Sequence, residues 1–196
     1  MKKQCYNCNK EIEEVDIFCP DCGYVQNINQ SDYFTLLSLP KKFDIGAKNL
    51  DVAYFAMQRK LHPDLFVRKS DKEKQYSMAQ SLRINDAYEK LKSPLKRAEY
   101  LLELAEIIVN KDGRGLKPPP EILMETMQAR EELSETDDKE EIRKILVDAT
   151  DRKISVIDKI NKHSTEDDLD KMAYQTMRLR YLDKLIEEIR SKGAIA

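Results

Sequence analysis

The residues best equipped for chemistry stand at two places. Cys5-x-x-Cys8 and Cys19-x-x-Cys22 are two pairs separated by ten residues, and they account for all four cysteines of the chain. A two-residue gap lets each pair sit on a tight knuckle turn, and two knuckles supply four thiolates to one tetrahedron. Gly23, after the last of them, gives the backbone room to turn where its amides approach the sulfurs. Soft thiolates in a closed set favour zinc as the ion, with iron in a rubredoxin-like centre as the other reading. Disulfides or free thiols are the alternative, and paired spacing of this kind speaks for a metal in a reducing compartment. A segment as short as 1–26 has little to bury, so the expected role of the ion is structural.

The second place is His62-Pro63-Asp64. Taken alone, the tripeptide specifies only a helix stop and a turn. Its setting says more. Arg59 and Lys60 run into it, and Arg68 and Lys69 follow it. An imidazole and a carboxylate beside a basic stripe suit docking on an acidic protein surface. Enzyme chemistry has less support. The two histidines, His62 and His163, stand in unrelated sections, and no Ser-His catalytic constellation or phosphate-binding loop is recognisable. No catalytic residue is expected.

The elements that must carry these groups are helical. Of the 196 residues 36% are charged and 7% aromatic, with five Gly and no Trp, a composition that favours helices with solvated outer faces. Asp32 or Ser31 caps a short helix through Tyr33, Phe34, Leu36 and Leu37, stopped before Pro40. A second spans about Ala47 to Leu61, with Leu50, Tyr54, Met57 and Leu61 at helical spacing. A third runs from about Asp71 to Lys92, with Met78, Leu82 or Ile84, Tyr88 and Leu91 expected inward. Ser93-Pro94 starts a fourth, with Leu95, Ala98, Leu101 and Leu102 following. The break Lys111-Asp112-Gly113-Arg114-Gly115, then Pro118-Pro119-Pro120, cannot continue a helix. Beyond it three helices are expected. They are Pro120 or Glu121 to Leu133, about Lys139 to Lys162 with a stripe from Ile142 to Ile160, and one from Ser164 or Thr165 to about Gly193.

The expected fold is therefore all-α: a tetracysteine extension (1–30), a helical-hairpin domain (31–110), a linker (111–120) and a three-helix bundle (121–196). Charge is unevenly placed. Residues 41–69 carry seven Lys or Arg against three acids, and residues 121–141 carry nine acids against two basic residues. A basic patch in one half and an acidic one in the other fits a bridge between two partners, the plainer reading being solvated helix faces. No apolar run reaches the roughly 18 to 20 residues of a membrane span. The first eight residues carry no apolar leader, so the expected setting is a bacterial cytoplasm or, for a trimmed chain, a mitochondrial matrix.

Asp32-Tyr33-Phe34, the basic helix ending in Leu61-His62-Pro63-Asp64, and Ile84-Asn85-x-Ala87-Tyr88-x-x-Leu91 resemble a J domain. Ser93-Pro94-Leu95-x-Arg97-Ala98-Glu99-Tyr100-Leu101-Leu102 is narrower and resembles the HscB family of co-chaperones. Leu123-Met124-Glu125, Arg130-Glu131-Glu132-Leu133 and Arg178-x-Arg180-Tyr181-Leu182-Asp183-Lys184-Leu185 extend the likeness, which covers about Asp32 to Arg190. The cysteine extension is similar to that of family members with a tetracysteine head. The resemblance implies that His62, Pro63 and Asp64 stimulate ATP hydrolysis by a chaperone of the DnaK or HscA class, and that Arg59 and Lys60 help to dock it. Leu65 departs from the pattern, standing where Lys is common.

The helix after Pro120 carries a second surface. At about 100° per residue, Ile122, Thr126, Ala129 and Leu133 share one stripe, and Leu123, Met124 and Met127 lie on another face. That second face is either buried against a further element or offered to a partner. The resemblance implies a partner, an IscU-type iron–sulfur scaffold, held by Leu123, Met124 and Met127, with Tyr181 joining them. Met127 stands where Leu is common in the family. Glu125, Glu131 and Glu132 are expected to aid encounter with basic groups of that scaffold.

Three rival readings have distinct signatures. A J protein for another client keeps the His-Pro-Asp loop and loses the scaffold. A thiol or iron redox protein built on the cysteines is coloured and redox-active. A nucleic-acid-binding ribbon needs a basic knob, whereas residues 1–30 hold five acids and three Lys. Neither nucleic acid nor a membrane is an expected partner.

Overall fold

Gly46 adopts φ +69° and opens α2, Ala47–Leu61. Pro63 forbids continuation, and the chain tightens into a 3₁₀ turn over Pro63–Phe66. Ser70 then starts α3, Asp71–Lys92, with a complete capping box in which Ser70 and Glu73 satisfy each other's backbone amides. The computed structural model describes residues 2–27, 31–109 and 115–195. Residues 111–114 of the expected break lie outside that description. Before α2 come β1, Lys2–Gln4, β2, Glu11–Glu13, and α1, Tyr33–Leu36; after α3 come α4, Pro94–Leu104, α5, Pro120–Glu135, α6, Lys139–Thr165, and α7, Leu169–Ile195. No helix among the described residues is long and apolar enough to cross a membrane.

The chain divides into two compact units. One comprises Met1–Lys41 with Ile45–Ser93, the other Lys42–Asp44 with Pro94–Ala196. The expected hairpin domain of 31–110 is thus divided at Ser93, and α4 goes with the C-terminal helices.

In the first unit α2 and α3 form an antiparallel hairpin. Leu61, Ile84, Ala87 and Leu91 are fully buried between them and α1. Removing a side chain of the size of Leu or Ile from water stabilises by about 1.5–3 kcal/mol. Polar links set the register: Tyr88 Oη donates to Asp51 at 2.9 Å, Tyr54 Oη donates to Asn85 at 3.1 Å, and the rings of Tyr54 and Tyr88 stack at 4.2 Å. The expected inward face of α3 needs correction. Met78 and Leu82 are 59% and 56% exposed, and the buried positions one or two places away are Ser77, Gln80, Ser81 and Ile84. Polar side chains line this face because Ser77 and Gln80 find hydrogen-bond acceptors there, as described below.

In the second unit α5, α6 and α7 form the expected bundle, with α4 packed on α7. The core joins Ala98 and Leu102 of α4 to Ile122, Val156, Ile160, Met172 and Leu179, and Phe43 is part of it. A second cluster at the far end holds Leu133, Ile142, Ala149, Leu185, Ile186 and Ile189. Arg180 ties α7 to α4 by donating to Glu99 at 2.8 Å, and to the loop by donating to the Val109 carbonyl at 2.8 Å. The last helix starts later than expected. α6 continues through Thr165, and Asp168, not Ser164 or Thr165, caps α7 by accepting from the Lys171 amide at 3.2 Å. α7 ends at Ile195, two residues beyond the expected Gly193.

Candidate functional site

The cysteine knuckles repeat one backbone pattern. The Cys5 amide donates to the Lys10 carbonyl and the Asn9 amide to the Cys5 carbonyl, both at 2.9 Å. In the second knuckle Cys19 donates to Tyr24 and Gly23 to Cys19, again at 2.9 Å. Each turn needs one residue with positive φ, supplied by Gly23 at +72° and by Asn9 at +58°. Strands β1 and β2 pair across the first knuckle, and Phe18 bridges Val25 across the second.

The four Sγ atoms lie within 4.8 Å of one another, with Cys5–Cys22 and Cys8–Cys19 at 3.7 Å. A tetrahedron with metal–sulfur bonds of about 2.3 Å has sulfur edges of about 3.8 Å, so the thiols stand where a four-coordinate ion needs them. Burial pushes the Cys5 thiol up, but the backbone amides of Cys8 and Asn7 and the thiols of Cys22 and Cys8 bring it down to about 6. The Lys10 amide draws Cys8 down, yet burial and the neighbouring Cys22, Cys5 and Cys19 carry it up to about 12. The Cys5 thiolate forms easily and Cys8 resists a second negative charge, the condition a cation relieves. Sequence reasoning missed Gln26. It is 2% exposed, and its Nε2 donates to Cys5 Sγ at 3.4 Å. A glutamine four residues after the last cysteine carries no signal that would single it out.

The His-Pro-Asp turn is exposed in its side chains and pinned in its backbone. Ser77 Oγ of α3 donates to the Leu61 carbonyl at 2.8 Å, the His62 amide closes on the Gln58 carbonyl at 2.9 Å, and Phe66 is buried behind the turn. The side chains of His62 and Asp64 are 56% and 84% exposed. His62 Nδ1 accepts from the Asp64 amide at 3.4 Å and lies 3.5 Å from Asp64 Oδ2. The ring can serve the amide only when Nδ1 is unprotonated and the carboxylate only when it carries a proton. Arg59 and Lys60 occupy the last turn of α2, where cations also complement the helix C-terminus.

Around this turn the surface is apolar as well as basic. Phe55, Gln58, Arg59, His62 and Leu65 line one shallow depression, and Phe55 and Leu65 are 55% and 56% exposed. Phe55 and Gln58 were missed by sequence reasoning. An aromatic residue lying off the Leu50–Tyr54–Met57–Leu61 stripe was the available signal.

On α5 the predicted faces are resolved. Ile122, Thr126 and Leu133 are buried, whereas Leu123, Met124 and Met127 are exposed, the two methionines to about two-thirds. Among the described residues no further element of the second unit covers that face. Tyr181 of α7 faces α5 across a cleft. It is half-buried, and the cleft, of about 350 Å³, has an α5 wall that includes Glu125, Gln128 and Glu132 and none of Leu123, Met124 or Met127. Glu125, expected to meet a partner, is paired with Arg178 at 2.6 Å.

Residues 118–190 match the family model described as the HSCB C-terminal oligomerisation domain. The co-chaperone protein HscB of Proteus mirabilis (strain HI4320) is 37% identical over 162 residues, spanning 81% of this chain and 93% of the relative. The chain belongs to the HscB family. The iron–sulfur cluster co-chaperone protein HscB homolog of Arabidopsis thaliana is 32% identical over 189 residues, covering 96% of this chain and 73% of the relative. The crystal structure of human co-chaperone protein HscB matches with a TM-score of 0.89 at 28% identity, over 97% of this chain and 98% of that one. The HscB match therefore takes in the cysteine knob together with both units.

Proposed function

We propose that this chain is a co-chaperone of iron–sulfur cluster assembly that joins a chaperone ATPase to a scaffold protein. The observation that carries the reading is a pair of exposed apolar surfaces, one on each unit, that neither core uses. On the first unit Phe55 and Leu65 surround His62 and Asp64 beside Arg59 and Lys60. This surface suits the acidic face of a DnaK- or HscA-class chaperone, with the pinned turn presenting His62, Pro63 and Asp64 at no cost in loop ordering. On the second unit Leu123, Met124 and Met127 offer flexible apolar side chains suited to an IscU-type scaffold.

Holding both partners raises the scaffold's effective concentration at the ATP-bound chaperone, so hydrolysis is accelerated when client and chaperone are together. The chain itself performs no bond chemistry in this scheme. The cysteine site holds structural zinc: four thiolates close the coordination shell and leave no open position for substrate. Thiolate ligands suit a reducing compartment, the bacterial cytoplasm or the mitochondrial matrix.

The deciding experiment is single-turnover ATP hydrolysis by the cognate chaperone, with this protein and the purified scaffold added separately and together. Synergy that disappears in Asp64→Asn and in Leu123→Ala/Met127→Ala supports the bridge. Stimulation indifferent to the scaffold assigns a different client, and no stimulation at all rejects the reading.

A further inference from the structure

The metal knob and the hairpin belong to one compact unit, and a chain of buried amides joins them. Gln26 Nε2 donates to Cys5 Sγ at 3.4 Å and to the Tyr24 carbonyl at 2.8 Å. The backbone of the same residue is held from α3: Gln80 Nε2 donates to the carbonyls of Gln26 and Asn27, each at 3.2 Å. Gln80 is fully buried, and Gln26 is 2% exposed. Beside this link the ring of Tyr6, inside the first Cys-x-x-Cys, meets Tyr76 of α3 edge-on at 5.3 Å. Lys72 Nζ lies 4.4 Å from the Tyr6 ring centroid. A self-contained metal knob needs none of these contacts.

We propose that Gln26 and Gln80 position the Cys5 ligand, so that metal affinity and the order of α3 depend on each other. An N–H aimed at a thiolate stabilises its charge and fixes its direction toward an ion. The knob holds the Gln26 backbone amide through the Ile17 carbonyl at 2.7 Å, and α3 holds its carbonyl, so the aim depends on both. Linkage makes the effect reciprocal: whatever factor α3 adds to metal affinity, the metal returns to the folding of α3. The hairpin that presents His62 and Asp64 is thereby tied to the occupancy of a site in another part of the sequence. The inference rests on the cysteines holding a metal, which metal analysis of the purified chain tests separately.

The experiment measures zinc affinity of the full chain by competition with a chromogenic chelator, for wild type, Gln80→Leu and Met78→Ala. Loss of a group hydrogen-bonded to a ligand weakens binding by about ten- to a hundredfold. Gln80→Leu, acting through Gln26, is expected to reach the lower end of that range and Met78→Ala to change nothing, since Met78 lies on the outer face of the same helix. In the cobalt-loaded chain, Gln26→Leu is expected to shift the thiolate-to-cobalt charge-transfer band. Amide exchange of the wild-type chain needs no variant: chelating the zinc is expected to cost protection at residues 76–84 of α3. Unchanged affinity in Gln80→Leu, an equal fall in Met78→Ala, or exchange in α3 indifferent to zinc overturns the proposal. A chain that takes up no metal overturns the metal reading along with it.

Discussion

Ser77 donates its hydroxyl to the Leu61 carbonyl across the buried seam between α3 and α2, at 2.8 Å, one residue before the His-Pro-Asp turn. The bond satisfies a helix-terminal carbonyl that no intrahelical amide can reach. Ser77→Ala leaves that carbonyl unpaired in a dry site, which costs about 1–3 kcal/mol. A lower urea midpoint is expected, together with a partial loss of ATPase stimulation at temperatures where the chain remains folded. An unchanged midpoint would show that the carbonyl finds another partner.

Asp64 is the opposite case, a residue exposed on all sides but its own turn. Asp64→Asn is expected to change stability by no more than about 0.5 kcal/mol while abolishing stimulation in single-turnover assays. If stimulation survives, the docking contact lies elsewhere on the Phe55–Leu65 surface.

Truncating the α5 patch should affect binding without affecting folding. Leu123→Ala with Met127→Ala is expected to raise the Kd for the scaffold about tenfold or more, since both side chains are exposed. Calorimetric titration reads the Kd, and a thermal scan checks that Tm stays put. Tyr181→Ala separates the cleft from the patch. A loss of scaffold binding there would bring the Glu125–Gln128–Glu132 side of α5 into the interface.

Removing the metal should unfold the knob. Cys19 is 1% exposed and central to its small core with Cys5 and Ile12, so Cys19→Ser or chelation leaves residues 1–26 open to protease. Elemental analysis is expected to find one zinc per wild-type chain and none in Cys19→Ser. Intact resistance to protease after chelation would refute a structural role for the ion.

The α7 cap carries a pH dependence. The Lys171 ammonium and amide hold the Asp168 carboxyl below its ordinary value of 3.8. A lowered native value means the capping contribution is complete above the ordinary carboxylate range and disappears as pH falls through the native value. The Tm difference between wild type and Asp168→Ala should therefore be constant at neutral pH and close only in acid below pH 3.8. A difference that persists through that range would assign the effect to packing instead.

How far the sequence could be read depends on where each residue finds its partner. The α2 stripe, the Pro63 stop, the four cysteines and the two faces of α5 follow from spacing within a few turns of chain, and the structure has them at those positions. The inner face of α3 is not legible in the sequence because Ser77 and Gln80 look like surface residues until their acceptors are known. Two of these acceptors, the carbonyls of Gln26 and Leu61, lie 54 and 16 residues away along the chain. Met78 and Leu82 have the converse character, apolar side chains at exposed positions. α4 was assigned to the hairpin by nearness in sequence, whereas its Ala98 and Leu102 are buried against α7 and its Glu99 meets Arg180. Tyr181 carried no periodic signal in a helix that buries residues on most of its sides.

The path of the backbone between the units bears on how such a protein can be dissected or recombined. The chain leaves the first unit after Lys41, contributes Phe43 to the other core, returns at Ile45 and leaves again at Ser93. A gene cut at any single point cannot separate the two halves cleanly. A fragment ending at Ser93 carries away an aromatic side chain whose burial the remainder needs, and a hybrid made by exchanging C-terminal segments inherits a Phe43 matched to the wrong neighbours. Shuffling by one crossover is thus penalised, and variation in this architecture is expected to accumulate by paired substitution around Phe43 and Arg97, whose guanidinium lies 4.9 Å from the Phe43 ring.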